Sequence, residues 1–167
     1  MTTKSTTKTD TSTDKPESID AIVLLENDHA EVKTQFDEYE ELESKSEKQA
    51  LADKICMALK IHAQIEEEIF YPAARKATKD TDLLDEATVE HASAKILIAE
   101  IEAMEPDEPL YDAKVKVLGE QIKHHVKEEE GELFPEIRKT DLDLKKLGAR
   151  LSKRKVELLS QMTPERE

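Results

Sequence analysis

Six side chains of the types that bind metal ions recur at regular positions along the chain. Two histidines are each followed by a glutamate four residues later, and two further histidines stand alone. In a helix, residues four apart project from the same face, so each His–Glu pair would present an imidazole and a carboxylate together. The six candidate metal ligands are His29, His62, Glu66, His91, His125 and Glu129.

The two His–Glu pairs belong to an internal repeat, in which one pattern recurs at an offset of 63 residues (125 − 62). The pattern consists of His62, Glu66 and Pro72 in the first copy and of His125, Glu129 and Pro135 in the second. The two single histidines are separated by a similar offset of 62 (91 − 29). Such a repeat favours two helical hairpins related by a pseudo-twofold axis, with a symmetric site between them.

Two polar turns place the four histidines at one level. The midpoint of the first two histidines falls in SKSE (44–47), and the midpoint of the last two falls in PDEP (106–109). Residues equidistant from a turn lie side by side in antiparallel helices. Each pair is therefore predicted to be level, at roughly 20–25 Å from its turn for a rise of about 1.5 Å per residue.

Five segments with apolar residues at helical spacing predict the elements that position these residues. The predicted helices cover about 19–43, 47–76, 82–104, 110–138 and 141–162, with Ser18 as the N-cap of the first. We expect an all-α protein, an antiparallel up-down four-helix bundle with a C-terminal fifth helix. The predicted division is a disordered polar tail at 1–17, the bundle domain at 18–138, and a basic amphipathic helix and tail at 139–167.

Imidazoles and carboxylates gathered in a core need a partner. A buried glutamate without one costs roughly several kcal/mol, and an unpaired imidazole on the order of 1–3 kcal/mol. Pairing of protonated histidines with the glutamates would offset part of this, but a metal suits the set better. Nitrogen and oxygen donors without thiolate favour iron, manganese or zinc, and six ligands exceed the four that tetrahedral zinc takes. We therefore predict two ions, with iron ahead of manganese and zinc because the sites look open to an exogenous ligand.

Charge and composition exclude other classes of function. Lys and Arg number 25 against 39 Asp and Glu, a net charge of −14, which disfavours nucleic acid and anionic membrane surfaces as partners. No apolar run reaches the ~20 residues of a membrane span, and the N-terminal stretch has no apolar segment typical of an export signal. The single cysteine, Cys56, excludes an intramolecular disulfide. We expect a cytoplasmic protein.

At the candidate ligands the chain resembles the hemerythrin-like HHE cation-binding domains. The matching segments are NDHAEV, HAQIEEEIFYP, VEHASAK and HHVKEEEGELFP, within about 19–138. The resemblance implies a four-helix bundle that holds a non-haem, carboxylate-bridged di-iron centre. It also implies that the six candidate residues are its ligands.

Two positions depart from the pattern of the oxygen-carrying hemerythrins. Lys95 stands where they have a histidine four residues after the one on the third helix, and Glu130 stands where they have an aspartate. The lost histidine leaves one iron short of a nitrogen ligand, which argues against reversible oxygen carriage. Water, Glu67, Glu130 or Tyr71 could fill the position. His124, beside a predicted ligand, is expected to point away from the core.

The sequence is compatible with three functions. The first is a di-iron protein that binds O₂, NO or peroxide, or that senses or stores iron, with a role in sensing or stress protection. The second is a di-iron enzyme with catalase- or peroxidase-like activity, for which no separate nucleophile or acid–base pair is visible. The third is a metal-free helical interaction module. The basic fifth helix is expected to pack on the acidic bundle, with a homodimer or protein partner as the alternative.

Overall fold

The computed structural model describes residues 19–163, which form five helices. Helix α1 spans Ala21–Glu41, α2 begins with Lys45–Ile65, α3 spans Asp82–Glu102, α4 begins with Tyr111–Glu128, and α5 spans Leu144–Met162. Helix α2 continues through Glu66–Phe70 into Tyr71–Ala77, and α4 continues through Glu129–Leu133 into Phe134–Arg138. The predicted all-α bundle with a fifth helix is confirmed. The predicted polar tail at 1–17 lies outside the described residues.

Polar side chains fix the residues at which the helices begin. The carboxylate of Asp20 accepts a hydrogen bond from the N–H of Val23 at 2.9 Å, and the hydroxyl of Ser44 accepts one from the N–H of Glu47 at 3.5 Å. Both are N-cap interactions, which satisfy a free donor of the first turn. Helix α2 therefore begins two residues earlier than predicted. Asp20 is the N-cap of α1, whereas the predicted cap, Ser18, lies outside the described residues.

Helices α2 and α4 each contain one π-helical turn directly before a proline. In α2 the N–H of Tyr71 donates to the carbonyl of Glu66, five residues earlier, and Pro72 follows. Proline lacks an N–H, and its ring clashes with the carbonyl four residues earlier in a regular α-helix, so a wider turn accommodates it. The repeat places the same turn at Glu129–Leu133. Each π turn begins at a candidate ligand, as π turns frequently do at functional sites.

The four bundle helices pack as two hairpins, α1 with α2 and α3 with α4. Their buried apolar residues form two clusters. The first apolar cluster includes Leu25, Ile65, Phe70, Leu84 and Phe134, and the second includes Val32, Leu59, Ile98, Val115 and Leu118. Along each of the four helices one histidine lies within a few residues of the passage from one cluster to the other. The predicted site is thus a polar layer between two apolar cores.

Helix α5 packs against α1 and α2 through its leucines. Leu147, Leu151 and Leu158 are buried in the first apolar cluster. Gly148 permits the close approach, since a Cβ at this position would clash with the carbonyl oxygen of Ile19. The apolar stripe of α5 is turned toward the bundle, as expected of a helix that packs on it. A homodimer or partner role for α5 stays a prediction.

Two further observations on the described residues concern membrane spans and the cysteine. Between residues 19 and 163 no helix combines the length and apolar character that a membrane crossing requires. Cys56 lies in the second apolar cluster, and burial raises the pKa of its thiol to about 12. The thiol therefore stays protonated at neutral pH, as is usual for a buried core cysteine.

Candidate metal centre

Four histidines from the four bundle helices meet in two facing pairs. The Nε2 atoms of His29 on α1 and His62 on α2 are 3.1 Å apart. Those of His91 on α3 and His125 on α4 are 3.2 Å apart. All four rings are buried. The rings therefore lie at one level, as the positions of the turns predict.

Glu66 lies between the two histidine pairs. One of its carboxylate oxygens is in direct contact with Nε2 of His62, and the other lies 3.5 Å from Nε2 of His91. Oε2 of Glu129 lies 2.6 Å from Nε2 of His125. The exposed fractions of the two glutamates are 0% and 2%, respectively. Glu66 thus reaches both pairs from a position shielded from solvent.

The six predicted ligands form two overlapping sets. One set consists of His29, His62, Glu66 and Glu129, and the other of Glu66, His91, His125 and Glu129. Within each set, one ligand atom per residue lies within 4.8 Å of all the others. We call these sets the His29 half and the His91 half. Both glutamates belong to both halves, as carboxylates that bridge two ions would.

The donors of this layer fit a metal better than they fit one another. Neither oxygen of Glu66, nor Oε1 of Glu129, accepts a hydrogen bond of ordinary geometry from the described residues. Buried carboxylates in this situation cost several kcal/mol, on the order of the desolvation of the group. Nitrogen and oxygen donors of this kind suit iron, manganese or zinc. A cation would therefore satisfy carboxylate oxygens that lie beside imidazole nitrogens but accept no hydrogen bond of ordinary geometry.

Electrostatics attract a positive charge to each half. Burial lowers the pKa of His62, but the carboxylate of Glu66 outweighs this effect and raises the pKa to about 10. Burial and the neighbouring charged ring lower the pKa of His29 to about 4. In the other half, burial is again outweighed, and the hydrogen bond with Glu129 raises the pKa of His125 to about 9. Each facing pair therefore favours one protonated and one neutral imidazole. A bound cation would displace the additional proton.

Each histidine also turns its outer nitrogen, Nδ1, toward a carboxylate. The pairs are His62 with Asp28 at 3.0 Å, His29 with Glu130 at 3.1 Å, His125 with Glu90 at 3.3 Å, and His91 with Glu67 at 3.7 Å. Carboxylates in this position fix the tautomer and orientation of metal-binding imidazoles and make them more basic. Asp28 and Glu90 each precede a histidine in the chain and contact the ring on the neighbouring helix. The outer carboxylates thus follow the same repeat as the inner ligands.

Lys95, at the position of the missing histidine, forms an ion pair instead of facing the site. Its Nζ lies 2.6 Å from both carboxylate oxygens of Glu67. Glu67 and Glu130 were both candidates to fill the missing ligand position. The structure places both on the outer, Nδ1 side of the histidine rings.

Tyr71 is the candidate whose polar atom lies on the inner side. Its hydroxyl is 3.2 Å from Nε2 of His91 and donates a hydrogen bond to Oε2 of Glu129 at 3.2 Å. Burial and the two glutamates raise the pKa of Tyr71 well above 10, so its hydroxyl keeps its proton at neutral pH. The repeat puts Phe134 at the equivalent position (134 − 63 = 71), where its ring stacks on His29 at a centroid distance of 6.0 Å.

His124 lies on the outside of the bundle. Its side chain is 65% exposed, and its Nε2 lies 3.1 Å from Glu128 on the same helix. Its orientation away from the core is the one expected for a neighbour of His125.

A small cavity opens beside the histidine layer. It measures about 30 Å³, and all four site histidines border it. Its apolar wall belongs to the second apolar cluster and to α3 and α4, and includes Val32, Leu59, Ala94, Ile98 and Ile122. A cavity needs roughly 10–15 Å³ of this kind of volume to hold one water. The space beside the histidine layer is therefore large enough for about two water molecules or for a diatomic molecule.

A helical bundle that gathers one histidine from each of four helices around two shared glutamates defines the hemerythrin kind of cation-binding protein. The chain matches the family model "Hemerythrin HHE cation binding domain" over residues 20–137. It belongs to this family, as the sequence motifs predict.

Two proteins are similar to this chain over most of its length. The crystal structure of a hemerythrin HHE cation binding domain-containing protein from Mycobacterium kansasii has a TM-score of 0.73 and 26% identity, and the match covers 86% of this chain and 89% of that one. A protein named DNA nickase from Nostoc sp. (strain PCC 7120 / SAG 25.82 / UTEX 2576) is 30% identical over 115 residues, which are 69% of this chain. The match covers 32% of that protein, so this chain spans about a third of the relative's length.

Sequence reasoning missed the outer carboxylates Asp28 and Glu90. A signal was present, because each directly precedes a histidine of the site and the two are 62 residues apart (90 − 28). The residue directly before a histidine lies on a different face of the helix. Helical spacing alone therefore does not predict that Asp28 or Glu90 contacts a histidine of the site. Only the packing of neighbouring helices brings it against the next ring.

Proposed function

We propose that this chain is a non-haem di-iron protein that binds O₂, NO or peroxide in sensing or stress protection. The observation that carries the proposal is the pair of overlapping donor sets that share Glu66 and Glu129. One ion would be held by the histidines of the His29 half and the other by those of the His91 half. Bound iron supplies a redox-active Lewis acid that can take a small ligand. Manganese and zinc are alternatives that metal analysis distinguishes.

The protein side chains have separable roles in this function. The buried glutamates bring negative charge to a layer between two apolar cores, where a cation is otherwise poorly solvated. The outer carboxylates hold the rings so that Nε2 faces inward. Lys95 and Glu67 close an ion pair beside the cavity. The cavity limits access to molecules of a few atoms.

The size and lining of the cavity support a small, weakly polar ligand. The surface that the cavity of about 30 Å³ exposes is mostly apolar, although the four imidazoles, Asp28, Lys60 and Lys95 also border it. Such a surface suits a small molecule of low polarity better than a strongly hydrated one. O₂ and NO fit this description, whereas peroxide would need a hydrogen-bond donor such as the Tyr71 hydroxyl, which lies in the metal layer but not among the residues that line the cavity. The physiological ligand among these three is the part of the proposal that ligand titrations decide.

Metal analysis of the purified and reconstituted chain tests the proposal. We expect two irons per chain, and the same content in His124→Ala, whose side chain lies outside the bundle. An ultraviolet–visible spectrum of the ferric form should contain charge-transfer bands that change when azide is added. A chain that takes up no iron, manganese or zinc after careful reconstitution would instead be the metal-free interaction module.

Peroxide disproportionation is a second candidate, favoured by one observation. The Tyr71 hydroxyl is buried, protonated and hydrogen-bonded to Glu129, so a proton donor is held within the metal layer. An assay with the iron-loaded protein and Tyr71→Phe tests it. Turnover no faster than that of free iron would dismiss the enzyme and leave the binding function.

The name of the Nostoc relative does not extend to this chain. The matched segment is about a third of that protein. A net charge of −14 opposes association with a phosphate backbone, so we predict no nicking and no DNA binding at physiological salt. Incubation of supercoiled plasmid with the iron-loaded protein would detect an error in this prediction.

A further inference from the structure

Helix α5 reaches the candidate metal centre through one side chain. Nζ of Lys155 lies 2.5 Å from Oδ1 of Asp28. The other oxygen of Asp28, Oδ2, lies 3.0 Å from Nδ1 of His62. A chain of three polar side chains thus connects the fifth helix with one candidate ligand. The family match ends at residue 137, so Lys155 lies beyond the matched segment.

Lys155 completes the environment that Asp28 needs. The side chain of Asp28 is only 12% exposed, and a carboxylate removed from water to this degree is stable only when charged or donor groups satisfy it. Its two oxygens have one such partner each, the imidazole on one side and the ammonium on the other. Charge-assisted hydrogen bonds of this kind are short and directional, so they fix the carboxylate plane.

We propose that Lys155 is a positioning residue for the metal centre, which holds Asp28 so that His62 presents Nε2 to the ion. The proposal rests on the metal-binding function proposed above. Through Lys155, the fifth helix contributes to the affinity of the His29 half for its ion and not only to the stability of the bundle. Loss of an outer partner of a metal-binding histidine typically lowers affinity by about 10–100-fold.

The repeat provides an internal contrast. Glu90 stands in the other half where Asp28 stands in the first, and contacts Nδ1 of His125 at 3.3 Å. Its second oxygen faces the exposed His124 at 3.8 Å rather than a residue of α5. The effect of Lys155 should therefore fall on one half only. Arg154, its neighbour on α5, ion-pairs with Glu68 at 2.8 Å on the surface and serves as the matched control.

The test is a titration of the metal-free full chain with Co²⁺, followed by its visible absorption and by competition with a chelator. Wild type should take two ions. In Lys155→Met the affinity of one ion should fall about tenfold while the second is unchanged, and Asp28→Asn should weaken the same ion. Arg154→Met should match wild type, and Lys155→Arg, which keeps the charge and the donor, should restore most of the affinity.

A double-mutant cycle separates positioning from simple anchoring of α5. If Lys155 acts through Asp28, the variant with both substitutions should be no weaker than Asp28→Asn alone, since contacting residues in one network are not additive. Additive losses, or equal effects of Lys155→Met and Arg154→Met, would overturn the proposal while wild type still binds two ions. Wild type that binds no Co²⁺ and no iron would instead refute the proposed function. Thermal unfolding of each variant identifies any that fail to fold.

Discussion

The His29 half and the His91 half share their inner ligands and differ in what surrounds them. Each half has two facing imidazoles and the same two glutamates. Yet Phe134 stacks on the ring of His29 in the His29 half, whereas Tyr71 directs its hydroxyl toward His91 in the His91 half. The outer carboxylates differ as well, because one is held by Lys155 and the other faces an exposed histidine.

The difference shows which part of the repeat is constrained by chemistry. Two ions of the same kind require similar donors, and the repeat supplies them at matching positions. The surroundings are free to diverge, so the two ions need not have equal affinity or equal access to a ligand. The Tyr71 hydroxyl lies beside Nε2 of His91 and donates to the shared Glu129, so a ligand on the ion of the His91 half would be closer to this hydrogen-bond donor than a ligand on the other ion.

Removal of Glu66 should abolish metal binding in both halves, so that no difference between them remains to be measured. The Glu66→Ala variant should lose both ions, because the two oxygens of this carboxylate lie beside Nε2 of His62 in one half and Nε2 of His91 in the other. Metal content after gel filtration, or native mass spectrometry, measures the loss. Retention of one ion would show that Glu66 belongs to one half only.

Removal of one histidine should separate the halves. His62→Ala should lose the ion of the His29 half and keep much of the other, a change from two ions to one per chain. The remaining ligands of that half stay buried without their charge partner, so unfolding should broaden and occur at lower temperature. Glu129→Ala should lose metal as well, whereas His124→Ala should not. Full iron content in His62→Ala would mean that the ligand is assigned wrongly.

The two halves should also differ in their dependence on pH. The ions must displace protons from His62, with a pKa of about 10, and from His125, with a pKa of about 9. The affinity for each ion whose binding releases one proton should therefore rise about tenfold per pH unit. This rise should end near pH 9 in the His91 half and near pH 10 in the His29 half, where the respective histidine loses its proton. Titration in weak buffer near pH 8 should release about two protons per chain when both ions bind.

In the metal-free protein, protonation of His62 and His125 has the opposite consequence, because stability falls as pH rises. Both pKa values are raised above the 6.5 of an unfolded histidine, so the stability they contribute is fully present below about pH 6.5. It is lost as pH rises through about 9 and 10. Chemical denaturation from pH 7 to pH 10 should find the metal-free chain less stable at the higher pH, whereas the loaded chain should not follow this trend. Equal slopes for the two forms would contradict the assignment of the protons.

An exchange of the two aromatic residues gives the smallest and most specific effect. Tyr71→Phe should keep both ions, lose about 1 kcal/mol of unfolding free energy with its hydrogen bond, and weaken azide binding. Phe134→Tyr would add a buried hydroxyl to the ring that stacks on His29 and should destabilise by about 1–3 kcal/mol if that hydroxyl finds no hydrogen-bond partner. Azide titrations of both variants at full metal content test whether the hydroxyl makes the halves unequal.

Much of the fold and of the inner site could be predicted from the sequence, because both depend on helical periodicity. A stripe of apolar residues fixes which face of a helix is buried, and a histidine on that stripe is buried with it. The polar turns then set the heights. His29, His62, His91 and His125 come together for this reason alone. The role of these residues as metal ligands stays a prediction until metal is measured.

The outer contacts depend on packing between helices, which periodicity does not specify. The position of Lys155 opposite Asp28 requires the crossing of α5 over α1, and that crossing depends on the close approach at Gly148. The predicted start of α2 was wrong by two residues. The sequence predicts a polar turn at 44–47, but the first residue of this segment, Ser44, is the N-cap and the rest is already helical. The inward direction of Tyr71 follows from a π turn, a feature that a count of 3.6 residues per turn does not contain.

The π turns leave one residue of surplus length between the metal layer and the prolines that follow it. Each turn holds one residue more than a regular helix would need between Glu66 and Pro72, or between Glu129 and Pro135. Deletion of one residue there, for example Gly131, would convert the π turn into a regular α-helical turn, and the ring of Pro135 would then meet the carbonyl four residues before it. Natural variants of this chain in which one of these turns is a residue shorter should therefore also have lost the proline that follows it.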